Sequence, residues 1–158
     1  MSTTAIPDRV TSASHRRARS RALAVAAAVL AGIVAWSVTV PLLDVELMVR
    51  MSPGSSSVQA VGFASVLTVS LLASLLGWGL LAVLERHNPR AGTIWTITAC
   101  AVLLLSLGGP LTSAVTTGAK VALALLHLSV AAVLIPLLRR SSPTWLIPSS
   151  PPAREQEA

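Results

Sequence analysis

The sequence predicts an all-α membrane protein, a four-helix transmembrane bundle running up-down-up-down, and three observations carry that expectation. Of its 158 residues, 53% are hydrophobic and 11% charged, with a mean hydropathy of +0.73, where a soluble globular domain carries about 25% charged residues. The apolar residues gather into long runs that suit a hydrocarbon core about 30 Å thick, which a helix crosses in about 20 residues. Finally, most of the Lys and Arg residues stand just outside those runs, as they do beside membrane spans.

The first run, Ala22 to Leu43, is interrupted only by Trp36, Ser37, Thr39 and Pro41 and reads as the first helix. Residues 1–21 before it are polar, end in the basic stretch His15 to Arg21 and show no apolar period, so they are expected to be disordered or to lie on the membrane surface. A basic stretch before an apolar run also describes a signal peptide. This run is longer than the usual apolar core of about 7 to 15 residues, and no clear small-x-small site comes before Asp44. An uncleaved helix is the expectation. Asp44 to Arg50 can prolong the helix past a kink at Pro41, and Ser52-Pro53-Gly54-Ser55 then reads as a turn.

Val58 to Leu84 is the second helix, long enough to cross with some tilt. Glu85 to Gly92, which contains Asn88-Pro89, reads as a tight link between antiparallel neighbours. The third helix is expected from Thr93 to about Gly108, stopped by Gly108-Gly109-Pro110, and the fourth from about Ala119 to Leu138. Residues 141–158, with Pro143, Pro148, Pro151 and Pro152, read as a disordered tail.

Counting cations on the two sides of this layout places ten Lys or Arg residues with the termini and the middle link, and only Arg50 and Lys120 opposite. By the positive-inside rule both ends are expected in the cytoplasm, with the chain in a cytoplasmic (inner) membrane. The net charge of +6 and pI near 11.6 therefore reflect orientation, and no nucleic-acid partner is expected. The expected partner is the lipid bilayer, with a membrane protein or a second copy as further possibilities.

At Leu75-Leu76-Gly77-Trp78-Gly79 running into Leu84-Glu85-Arg86, and at Leu125-Leu126-His127-Leu128 running into Leu134-Ile135-Pro136, the chain resembles an uncharacterised family of small four-helix membrane proteins from actinobacteria. The likeness covers roughly Ala22 to Arg140. It implies the fold and an actinobacterial source; the family has no assigned activity, so it implies no mechanism.

Few residues can carry chemistry. His127 lies mid-way along the fourth run with no charged residue within six positions, and an ionisable group at that depth is a functional candidate. On a helical wheel it shares a stripe with Thr116, Lys120, Ala124, Ala131 and Leu134. The bland reading is a hydrogen bond to another helix, with Ser65 or Thr68 as partner; the sharper one is a ligand contact or proton relay with Lys120 and Asp44. Asp44 and Glu46, on the side of Arg50 and Lys120, form either a polar-ligand site or surface ion pairs, which contribute about 0 to 1 kcal/mol. As metal ligands they are poor, since they point about 200° apart on a helix.

Small residues recur at helix-contact spacing as Ala24, Ala28 and Gly32, and as Ser70, Ser74 and Gly77 with Ala73, the pattern that lets backbones approach in lipid. Intrachain packing is the first expectation and dimerisation the second. Cys100 is the one cysteine, so a CxxC pair, an intrachain disulfide and a thiolate cluster are excluded. No HExxH and no second intramembrane His accompany His127, which argues against a zinc hydrolase or a bis-His haem; no cofactor is expected. The expected function is a non-enzymatic interaction or accessory subunit. The alternative is a small transporter or proton-coupled binding protein using His127, Lys120 and Asp44.

Overall fold

The computed structural model describes residues 8–50 and 56–142, the first seven of them (8–14) by backbone alone. Four helices form an all-α bundle: α1 (Asp8–Ser37), α2 (Phe63–His87), α3 (Ala91–Ser113) and α4 (Thr117–Arg140). Each contains an apolar stretch long enough to cross a membrane. Large side chains such as Leu104 and Leu105 on α3 are more than two-thirds exposed; such a surface suits lipid, where exposing apolar groups costs nothing. The expected tail beyond Ser142 lies outside the described residues.

The first helix corrects one expectation. It starts at Asp8 rather than Ala22, so the basic segment up to Arg21 is helical and continuous with the apolar run instead of lacking structure. Within that helix Arg21 is buried at 6% exposure, against the C-terminal ends of α2 and α4.

At the other end of α1, Pro41 has no N–H to return to Ser37, so the α-helical ladder fails. The chain widens into a π turn over Val38–Leu42, with the Leu43 N–H bonded to the Val38 carbonyl at 3.1 Å. Thr39 helps by donating its hydroxyl to the Ala35 and Trp36 carbonyls at 2.9 and 3.2 Å. Asp44 then takes φ 51, a left-handed conformation that Asp tolerates better than most residues, and the chain turns away from the helix axis. Asp44 to Arg50 therefore does not prolong α1.

Past Asp44 the chain forms an antiparallel hairpin of β1 (Met48–Arg50) and β2 (Val58–Ala60), in the register Met48↔Ala60, Val49↔Gln59 and Arg50↔Val58. Residues 58–60 were expected in the second helix. They are a strand because β1 supplies their hydrogen-bond partners, and α2 begins only after the extended Gly62. Val49 also bridges to Ala114, and the Val115 N–H reaches the Met48 carbonyl at 3.1 Å. The hairpin is thus pinned to the α3–α4 link and closes this end of the bundle. Leu47, Val66, Ala119, Ala122, Leu123 and Leu126 form the core beneath it, and the Trp36 indole donates to the Val61 carbonyl at 3.2 Å.

The third helix corrects another expectation, for it runs through Gly108, Gly109 and Pro110 to Ser113. Proline removes one ladder bond, and in a membrane helix neighbouring hydroxyls make good such losses. Here Thr112 donates to the Gly108 carbonyl at 2.8 Å and Ser113 to that of Gly109 at 2.6 Å. The fourth helix is capped by Thr116, whose hydroxyl accepts from the Ala119 N–H at 3.1 Å.

At the end opposite the hairpin, a second core of Ala24, Ala28, Leu81, Trp95, Leu134 and Leu138 joins all four helices. The helices neighbour one another in a ring, with α1 and α4 in the closest association and α2 and α3 in the loosest. That imbalance leaves space on one side.

Candidate functional site

The space is a cleft of about 710 Å³ between α2, α3 and α4. Its floor is set at the arginine-rich end by Trp95, which is buried at 1% exposure and donates its indole N–H to the Gly77 carbonyl at 2.9 Å. The bulky indole thus lies between α3 and α2 and bonds one to the other. Small side chains then face the gap: Ser70, Ala73 and Gly77 from α2, Ala99 from α3 and Ala131 from α4. Val69, Leu76 and Val102 line the cleft and are also more than half exposed, so it opens sideways on the outer surface, between α2 and α3.

His127 stands in the wall, half-buried. Its Nδ1 lies 2.7 Å from the Leu123 carbonyl oxygen of its own helix. The expected partners were Ser65 or Thr68. Ser65 does line the same cleft, but the ring is held from within α4, because the carbonyl four residues back lies directly under it. The other polar side-chain groups on the wall are the Trp95 indole N–H and the hydroxyls of Ser65, Ser70, Thr98 and Ser106.

The other expected site residues lie elsewhere. Lys120 is half-buried near the start of α4 and does not line the cleft. Asp44, Glu46 and Arg50 are exposed at the hairpin end, and the one salt bridge among the described residues joins none of them. Asp44, Glu46, Arg50 and Lys120 thus form no ion pair with one another. Among the described residues no group of His, Cys, Asp and Glu has metal-binding proximity.

The packing residues divide by helix. Ala28 is fully buried, and a methyl group on Gly32 would meet Ser70 Oγ at 3.0 Å and Val130 Cγ2 at 3.1 Å, so α1 touches α2 and α4 at close range. Ser74 is completely buried, and its hydroxyl has no hydrogen-bond partner. Gly77 is less confined, with its nearest neighbours, Leu134, Leu138 and Trp95, at 3.6 to 3.8 Å from an added methyl.

A further polar cluster was not anticipated. Arg21 Nη2 donates to both carboxylate oxygens of Glu85 at 2.6 and 2.7 Å, and its Nε donates to Ser141 Oγ at 3.2 Å. Ser142 donates to Glu85 Oε1 at 2.8 Å. The four side chains tie the middle of α1 to the C-terminal ends of α2 and α4, and the Glu85 side chain is only 14% exposed. One signal was available: Glu85 is the single acid between Glu46 and Glu155, set among basic helix ends. Nothing in the order of residues said which arginine it would choose.

No curated protein and no solved structure matches this chain. Residues 12–144 match a family of unknown function, DUF6069. The match spans all four helices, the cleft and the Arg21–Glu85 cluster, and the chain belongs to that family.

Proposed function

We propose that this is a non-enzymatic, multi-pass protein of the cytoplasmic membrane that holds a small lipid-like molecule in the cleft between α2, α3 and α4. The carrying observation is the cleft itself. Its volume of about 710 Å³ falls in the range of small-molecule sites, about 300 to 1,000 Å³. A whole partner helix crossing the membrane fills a cylinder of roughly 2,400 Å³, so the cleft suits a ligand better than an engulfed helix. Apolar walls opening sideways into the bilayer favour an occupant drawn from the lipid phase.

An accessory subunit acting through its helix surfaces alone asks for no such cavity. A carrier using His127, Lys120 and Asp44 together asks for their assembly, and Lys120 and Asp44 lie off the cleft. His127 is the titratable group of the wall.

Charge supports the orientation. The arginine end carries Arg17, Arg19, Arg86, Arg90, Arg139 and Arg140 exposed, whereas the hairpin end balances Asp44 and Glu46 against Arg50 and Lys120. Both termini then face the cytoplasm. A reporter fused after Ala158 or inserted at Asn88 is expected to read cytoplasmic, and one at Ser55 external; an external signal at Asn88 overturns this topology. Ligand binding is tested by filling the cleft with Ala131→Trp. Protein purified in mild detergent should lose its copurifying lipid, measured by mass spectrometry, with little change in melting temperature. Equal lipid content in the variant and the native protein refutes the cleft as the site.

A further inference from the structure

We propose that the molecule held in the cleft is a lipid alcohol, a long apolar chain bearing one hydroxyl that donates its hydrogen bond to Nε2 of His127. This inference rests on the cleft being a binding site for a lipid-like molecule.

The argument starts from the histidine ring. A carbonyl oxygen only accepts, so the 2.7 Å approach of Nδ1 to the Leu123 carbonyl places the ring hydrogen on Nδ1. In the neutral ring Nε2 is then an acceptor. No described residue donates to it, and it belongs to a side chain on the cleft wall. The ligand that completes this ring is therefore a donor.

Depth and charge narrow the class. His127 lies ten residues into α4, about 15 Å along the helix, so a head group beside it sits near the middle of the bilayer. A charged or zwitterionic head is costly there unless it is paired. The cleft wall carries no Lys, Arg, Asp or Glu to pair with it. A single hydroxyl is the smallest head that satisfies Nε2 without bringing a charge.

The test compares three molecules of matched chain: 1-hexadecanol, its methyl ether and 2-hexadecanone, each deuterated. Each is equilibrated with the full-length protein in nanodiscs and quantified by mass spectrometry after washing. The alcohol is expected to be held about fivefold more tightly than the ether, the worth of one hydrogen bond. His127→Phe should remove that difference while still holding the chain, and His127→Gln, which keeps an acceptor, should retain it. Equal retention of alcohol and ether by the native protein, or a preference for the ketone, overturns the alcohol assignment and leaves the cleft reading standing. Retention of none of the three overturns the cleft reading itself. Because the native protein decides between these outcomes, a poorly folding variant does not spoil the test.

Discussion

The seam between α1 and α4 and the cleft between α2, α3 and α4 are made from the same kinds of residue, yet one is closed and the other open. On the seam, Ala24, Ala28 and Gly32 let α1 come against α4 until a methyl on Gly32 would press on Val130 at 3.1 Å. On the cleft side Ser70, Ala73 and Gly77 present an equally slight surface, but α3 meets it through Trp95 at Gly77 and leaves a cleft beside the rest. The difference lies in what holds the backbones. Arg21, Glu85, Ser141 and Ser142 draw the middle of α1 and the C-terminal ends of α2 and α4 together, while on the cleft side the bulky Trp95, bonded to the Gly77 carbonyl, stands between α3 and α2. A small-residue stripe is thus a close contact where the backbones are free to meet and a hole where they are not.

The largest expected effect tests the tie that closes the seam. Glu85→Gln leaves the buried Arg21 guanidinium without its counter-charge, and breaking a buried pair from one side costs about 3 kcal/mol or more. Melting in mild detergent should fall accordingly, and the double change Arg21→Met with Glu85→Leu should recover most of the loss. An unchanged melting temperature in Glu85→Gln would show that the four-residue cluster does not hold the helix ends.

The two glycines give a smaller and more pointed comparison, because the same substitution should act with opposite sign. Gly32→Ala must displace Ser70 and Val130 from two different helices, a cost of about 1 kcal/mol. Gly77→Ala meets neighbours at ordinary contact distance and gains up to about 1 kcal/mol from helix propensity. If both variants melt below the native protein, the cleft side is as tightly packed as the seam and the contrast fails.

Ser74→Ala is the mildest probe. The hydroxyl is fully buried without a partner, and removing an unsatisfied polar group relieves its desolvation, by up to about 1 kcal/mol. A higher melting temperature is expected. A clear drop would mean that the hydroxyl makes a bond in the folded protein.

Much of this architecture was legible because it follows from solvent preference. In lipid each spanning segment must satisfy its own backbone, so four apolar runs imply four helices before any contact is known. Local chemistry was less dependable where contacts between segments intervene. Gly108-Gly109-Pro110 reads as a stop, and the hydroxyls of Thr112 and Ser113 carry the helix past it. Val58 to Ala60 reads as helix, and pairing with Met48 to Arg50 makes it a strand. His127 stands out in the sequence as the ionisable group at depth, but the hydrogen-bond partner expected on another helix is supplied by its own.

By itself the sequence determined the number of helices, the side on which the positive charge collects and the residue types available to each face, since all three depend on composition along the chain and on the free energy of moving it into lipid. Only the tertiary structure decided which small-residue stripe closes and which encloses a cleft, that Glu85 takes Arg21 as its partner, and that Lys120 and Asp44 do not line the cleft that holds His127. Those outcomes depend on the distance between backbones far apart in sequence. That distance is set by a few bulky or charged side chains, Trp95 and Arg21 foremost, whose partners are chosen by packing.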